Sequence, residues 1–137
     1  MIGPILLDTC AAIWMNEDRL TPRGVQALTE CYNRGKAVFV SPVTALELGR
    51  LFSLGRLRSP LSPIGYLRRL LSLPGVKIAE MPPELLLGSS FLPGEFHKDP
   101  ADRIIAATAR EYGFTVMTRD RPLLDYARQG YLSAIEC

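Results

Sequence analysis

Short, fully apolar runs alternate with amphipathic stretches along the whole chain. The first run, Gly3-Pro4-Ile5-Leu6-Leu7, has the look of a strand covered on both faces, and it ends on Asp8-Thr9, which suit the start of a helical run over residues 11–15. Thr21-Pro22 is an N-cap followed by proline at the first helical position. The helix it starts runs through Val25, Leu28, Thr29 and Tyr32 and closes at Gly35. A strand over 37–40 follows at once. Ser41-Pro42 repeats the cap signature and launches a helix through Val43, Leu46, Leu51 and Leu54 to Gly55, with Glu47 about one and a half turns in. Ser62-Pro63 starts another helix, which runs through Leu73 and is stopped by Pro74-Gly75.

The second half continues the alternation. Residues 76–79 read as a strand, 83–90 as a short helix, and 92–98 as a loop containing Pro93-Gly94. Asp99-Pro100 caps a strongly apolar helix through Ile104, Ile105, Ala107 and Thr108 that ends at Gly113. A strand over 115–118, a helix over 122–129 and an edge-like strand over 132–136 complete the chain. Strands alternating with helices, with no repeat and no dividing linker, predict one α/β domain over residues 1–137 around a mainly parallel sheet of four to five strands.

Composition narrows the class without naming a function. The 137 residues carry 16 Lys and Arg against 14 Asp and Glu and are 47% hydrophobic, which excludes a disordered or fibrous chain. A net charge of +2 means that bulk charge does not hold the protein on nucleic acid, so any basic site is local. Cys10, Cys31 and Cys137 fit neither a CxxC redox pair nor a zinc knuckle, and reduced thiols are the expectation. Before Asp8 no apolar run is long enough for a signal or a membrane span, so the reading is a soluble cytoplasmic protein with no membrane contact.

Four acids carry the candidate chemistry. In parallel α/β sheets the carboxyl ends of the strands and the N-termini of the following helices share one edge, where ligands bind. Asp8 ends the first strand, Asp120 follows the fourth by two residues, Asp102 lies in the first turn of the helix capped at Asp99, and Glu47 lies in the helix leaving the second strand. Each has an ordinary alternative. Asp99 is most simply an N-cap and Asp102 its capping-box partner; Glu47 can pair with Arg50, and Asp120 can serve a turn. Asp8, directly after a buried strand, is the hardest to explain without a ligand. Carboxylates gathered on one edge repel unless cations intervene, and an oxygen-only donor set favours Mg²⁺ or Mn²⁺. The matching chemistry is metal-assisted phosphodiester hydrolysis, in which an ion lowers the pKa of an attacking water.

Between residues 48 and 79 there is no Asp or Glu, while Arg50, Arg56, Arg58, Arg68, Arg69 and Lys77 interleave with Leu, Phe52 and Tyr66. That stretch is either a solvated helix pair or a basic, apolar groove for RNA phosphates or a partner's helix. His97, the sole histidine, reads as a loop residue bonding locally, and Trp14 as core or dimer packing. Glycine-rich phosphate loops are absent, so ATP or dinucleotide use has no support.

Leu6-Leu7-Asp8-Thr9, Ser41-Pro42-Val43-Thr44-Ala45-Leu46-Glu47-Leu48, the run from Phe96 through Asp99-Pro100-Ala101-Asp102-Arg103 to Ala106, and Thr118-Arg119-Asp120 together resemble the PIN-domain toxins of the VapC type. The resemblance spans nearly the whole chain. It implies a three-layer α/β/α sandwich and a Mg²⁺- or Mn²⁺-dependent endoribonuclease, the toxin of a toxin-antitoxin pair. It also implies homodimers, a cognate antitoxin that blocks the site, and structured RNA such as tRNA or rRNA as substrate. Position by position, Asp8, Glu47, Asp102 and Asp120 match the acidic tetrad, and Thr118 and Thr9 match the hydroxyl residues lining it. Asp99 matches the motif but not, as a rule, the ligands. Cys10 and Lys98 stand where relatives often have His and Gly. Two rival readings remain at this point: a catalytically silent module that binds RNA or protein, and a dehalogenase-like phosphatase using Asp8 as nucleophile, which wants an acid where Cys10 stands.

Overall fold

The computed structural model describes residues 3–137. Five strands, β1 (Ile5–Leu7), β2 (Val38–Val40), β3 (Val76–Ile78), β4 (Thr115–Thr118) and β5 (Ser133–Glu136), form one sheet in the order β3-β2-β1-β4-β5. Every neighbouring pair is parallel, with Ile5 opposite Val38 on one side and Thr115 on the other. The central strand is apolar at every position because both its faces are covered. Ile5, Leu6 and Leu7 have no exposed surface, and each contributes roughly 1.5–3 kcal/mol by its burial.

Strand alternation splits the core in two. Ile5, Leu7, Val38, Val40 and Met117 face a layer built from α1 (Thr9–Asn16), α2 (Pro22–Asn33) and α4 (Pro63–Ser72), which contribute Ala12, Cys31 and Leu70. Leu6 and Val116 face the opposite layer, α6 (Pro100–Tyr112) and α7 (Arg121–Arg128), which supply Ile105, Ala106, Leu123 and Tyr126. The helix α3 (Pro42–Ser53) reaches both cores, Val43 entering one and Leu48 the other. A short α5 (Pro83–Gly88) and a 3-10 turn over Ser89–Phe91 complete the elements. The result is the expected three-layer sandwich, with all five strands parallel and β3 and β5 at its edges.

The proline-led caps behave as read. Thr21, Ser41, Ser62 and Asp99 each accept a backbone N–H of the following helix's first turn. The stripes named for α2 and α3 are corrected. Val25 and Tyr32 are 47% and 57% exposed, and the buried face of α2 is Gly24, Ala27 and Cys31. Small residues let that helix sit close to the sheet, and the larger apolar side chains turn outward. Leu46 is likewise 72% exposed, and Leu54 lies outside. Among the described residues no helix is long and apolar enough to cross a membrane.

Candidate active site

The strand order reverses at β1. Chain growth proceeds outward through β2 and β3, then returns to the other side of β1 as β4, which opens a crevice at the carboxyl ends of β1 and β4. Asp8 and Asp120 stand at the two sides of this crevice as the N-caps of α1 and α7. Asp8 Oδ1 accepts from Ala11 N at 2.8 Å, and Asp120 Oδ2 from Leu123 N at 3.3 Å. Capping thus fixes both carboxylates on the sheet edge without consuming all their lone pairs.

Thr118 links the two. Its hydroxyl donates to Asp8 Oδ2 and accepts from Asp120 N at 2.8 Å, so a fully buried side chain sets the spacing of both acids. A second relay serves Glu47. Thr9 donates its hydroxyl proton to Glu47 Oε1, and the 3.2 Å contact between the Thr9 and Thr44 hydroxyls is therefore donated by Thr44. Glu47 makes no ion pair with Arg50, and its carboxylate is engaged by Thr9 instead. Asp99 Oδ1 accepts from Asp102 N at 3.0 Å, the plain N-cap expected. The Asp102 carboxylate instead turns toward His97, with Oδ2 3.0 Å from Nε2.

These groups share one cleft of about 410 Å³, lined by Asp8, Thr9, Cys10, Glu47, Asp102 and Asp120 together with Arg119. Asp8, only 4% exposed, has its carboxyl pushed up to about 6, first by burial and then, against its two hydrogen bonds, by Asp120 and Glu47. Asp102 is pushed up to about 8 by burial and by Asp120, Asp99, Glu47 and Asp8. Burial and Asp99 raise Glu47 despite the hydrogen bond from Thr9. Asp8, Glu47 and Asp102 are thus each raised by neighbouring acids as well as by burial, the electrostatic signature of one cluster. Among the described residues no Lys or Arg forms an ion pair with any of the four. Arg119 lines the wall, but its Nε donates to Cys137 O and its guanidinium lies 3.4 Å from the Trp14 ring.

The donor set fits a hard divalent ion, whose positive charge favours the ionised form of buried, crowded carboxyls such as Asp8 and Asp102. The tightest group of donors is His97, Asp102 and Asp120, whose ligating atoms lie within 4.8 Å of one another. Asp8 and Glu47 line the same cleft as Asp102 and Asp120.

All four acids and both threonines predicted for the site are therefore brought together, with Asp99 at the lip. The arginines divide. Arg50 and Arg56 line a hollow that shares Glu47 and Asp99 with the cleft, whereas Arg58, Arg68 and Arg69 are exposed and line neither. Sequence reading missed Thr44 and Arg119 and left His97 apart from the acids. Thr44 had a signal, since it lies three residues before Glu47 and so on the same helical face. Trp14 is half-buried against Arg119 rather than in the core.

Comparison with known proteins agrees with this fold. The PIN domain matches residues 5–129. The chain is 29% identical over 119 residues to Ribonuclease VapC22 of Mycobacterium tuberculosis, covering 87% of this chain and 88% of that protein. Its fold is similar to chains in two solved complexes, each 16% identical: VapBC2 of Rickettsia felis bound to a promoter DNA fragment, and DNA-bound VapBC of Salmonella typhimurium. The TM-scores are 0.70 and 0.66; the first match covers 99% of this chain and 98% of the other, the second 98% of both. A sheet that reverses at β1, acids gathered at that reversal and a family match over most of the chain lead to one assignment: this protein belongs to the PIN domain family.

Proposed function

We propose that this chain is a divalent-metal-dependent endoribonuclease of the cytoplasm, the toxin half of a toxin-antitoxin pair, hydrolysing phosphodiester bonds in structured RNA such as tRNA or rRNA. The observation that carries the reading is the carboxylate cluster of Asp8, Glu47, Asp102 and Asp120 at the β1/β4 crevice, with no Lys or Arg paired to it among the described residues. The name of the VapC22 relative and the VapBC complexes support the activity and the partner.

Asp8, Asp102 and Asp120 would hold Mg²⁺ or Mn²⁺, and Glu47 a second ion or a water. When bound, the ion supplies a lowered pKa for water and neutralises charge on the phosphodiester. The chain's own residues do the rest. Thr118 holds Asp8 and Asp120 at fixed spacing, and the Thr44–Thr9 relay keeps the Glu47 carboxylate turned into the cleft. Glu47, so held, accepts a proton from water or orients it. Arg119, Arg50 and Arg56 offer positive charge along the walls for RNA phosphates on either side of the scissile bond. Arg58, Arg68 and Arg69, on the surface beyond, suit the antitoxin. The working unit in this reading is a homodimer.

Sequencing the 5′ ends of cellular RNAs after induction tests the activity and names the target. The wild-type chain is expected to produce new, discrete ends, and purified protein is expected to reproduce them in a reaction stopped by EDTA. Asp8→Asn keeps the cap on α1, since Asn caps as well as Asp, and should produce none. Cleavage that persists in this variant would remove the site; binding of RNA without cleavage, indifferent to EDTA, would favour the silent module.

A further inference from the structure

We propose that His97 is a nitrogen ligand of the ion held by Asp102 and Asp120, and that it shifts the centre's preference from Mg²⁺ toward Mn²⁺. The inference rests on the metal-dependent reading above and adds to it a donor outside the four acids.

Three observations carry it. His97 Nε2 is out of solvent and has no hydrogen-bond partner among the described residues, a costly state for a ring nitrogen unless something else occupies its lone pair. Asp102 Oδ2 lies 3.0 Å away but outside hydrogen-bonding geometry, so a simple imidazole-to-carboxylate bond does not account for the contact. That separation is also the spacing of adjacent ligands in an octahedron with bonds of about 2.1 Å, where neighbouring donors stand about 3.0 Å apart. The donors of His97, Asp102 and Asp120 all fall within 4.8 Å of one another.

The histidine is also held in place before any ligand arrives. Arg103, the residue after Asp102, donates from Nε to Ser89 O at 2.8 Å and from one terminal nitrogen to Phe96 O and His97 O at 3.1 and 3.2 Å. Its guanidinium thereby ties the loop to the helix that carries Asp102. The Phe96 ring meets the His97 ring edge-on with centroids 4.6 Å apart and leans on Tyr126 at 4.8 Å. An imidazole fixed this way loses little side-chain entropy on ligation.

The chemical consequence is selectivity. Mg²⁺ prefers oxygen donors and keeps its waters, whereas an imidazole nitrogen suits first-row transition ions, so a nitrogen, two-carboxylate set discriminates where an all-carboxylate set does not.

The chain contains one histidine, so any imidazole signal from an untagged preparation has a single source. Mn²⁺ is titrated into the full-length protein, and electron spin echo modulation is recorded alongside Mn²⁺ and Mg²⁺ affinities. Nitrogen modulation from a directly bound imidazole is expected in the wild type and is lost in His97→Phe, which keeps a ring against Phe96. His97→Phe is also expected to lower Mn²⁺ affinity about tenfold or more, with Mg²⁺ affinity changed much less. His97→Gln gives a second, polar variant in which the same loss is expected. If Mn²⁺ binds, and Asp120→Asn abolishes that binding, but no imidazole nitrogen couples to the ion, the proposal fails while the metal-dependent reading stands. If the wild type binds no Mn²⁺ or Mg²⁺ at all, both fail.

Discussion

Every acid at the carboxyl edge of the sheet is held by a neighbour, whereas the arginines of residues 50–69 are held by none among the described residues. Asp8 and Asp120 cap helices and share the Thr118 hydroxyl, Glu47 receives the Thr9 hydroxyl, and Asp102 is placed by the cap at Asp99. Among the described residues the side chains of Arg50, Arg56, Arg58, Arg68 and Arg69 make no ion pair, and all five are exposed. The two regions meet at Glu47, which lines both the acid cleft and the adjoining hollow. The difference separates two kinds of work. Charges that must act on one atom are immobilised before the ligand arrives, because positional error costs rate. Charges that only follow a polyanion or a partner surface gain from remaining mobile.

Neutralising one charge on each side tests the difference most directly. Asp120→Asn keeps the cap on α7 and the backbone bond to Thr118, so the fold should survive within about 0.5 kcal/mol. RNA cleavage should nonetheless fall at least about 1,000-fold, or about 4 kcal/mol, exceeding the 10- to 100-fold typical of groups that only support a metal ligand. Arg56→Gln should cost less than about tenfold. Single-turnover cleavage at saturating Mg²⁺, with melting temperature as the folding control, makes the measurement. Comparable losses in the two variants would erase the distinction.

A second test uses the metal-free protein. The Asp8 carboxyl sits at about 6 against an ordinary 3.8. Between those values the folded chain holds a proton that the unfolded chain has released, so stability is fully present below about 4 and is lost as pH rises through about 6. Two units correspond to about 3 kcal/mol at the upper end. Asp102, pushed up to about 8, extends the same trend to higher pH. In the presence of EDTA, Asp8→Asn should therefore melt near the wild type at pH 4 and clearly above it at pH 7. Adding Mg²⁺ or Mn²⁺ should raise the wild type and close the gap. A wild type that is the more stable of the two at pH 7 without metal would mean that burial and the neighbouring acids together do not hold the Asp8 carboxyl up.

The sequence made the strands and caps legible because each is written locally. A Ser-Pro or Asp-Pro pair before an apolar stripe has few alternatives, and a strand with no polar position must be covered on both faces. The edge location of Asp8, Glu47, Asp102 and Asp120 also followed, since parallel topology alone assigns strand ends and helix starts to one side. What stayed hidden depends on contacts between distant segments. The outward turn of Val25, Tyr32 and Leu46 came from how closely α2 and α3 approach their neighbours, which hydrophobicity does not encode. The position of His97 depended on Arg103 folding a loop of no regular structure back onto α6. The Thr44–Thr9 relay joins residues 35 apart, and no spacing rule announces it.

The smallest expected effect concerns the arginines alone, and it divides them as the surface does. Arg50 and Arg56 border the hollow next to Glu47, so RNA bound as proposed would pass between them on leaving the cleft on that side. Each phosphate contact to single-stranded RNA releases counterions and contributes about −0.7 to the slope of log affinity against log salt. Replacing both by Gln should weaken RNA binding about tenfold at low salt, flatten the slope by about 1.4, and leave the single-turnover rate at saturating RNA nearly unchanged. Arg58, Arg68 and Arg69 line neither hollow nor cleft, and the same triple replacement there should leave both RNA binding and its slope unaltered while weakening the antitoxin. Filter binding across a salt series with the Asp120→Asn background, which binds without cutting, reads both sets. A slope lost equally from the two sets would place RNA along the whole stretch, and a slope lost from neither would give all five arginines to the protein partner.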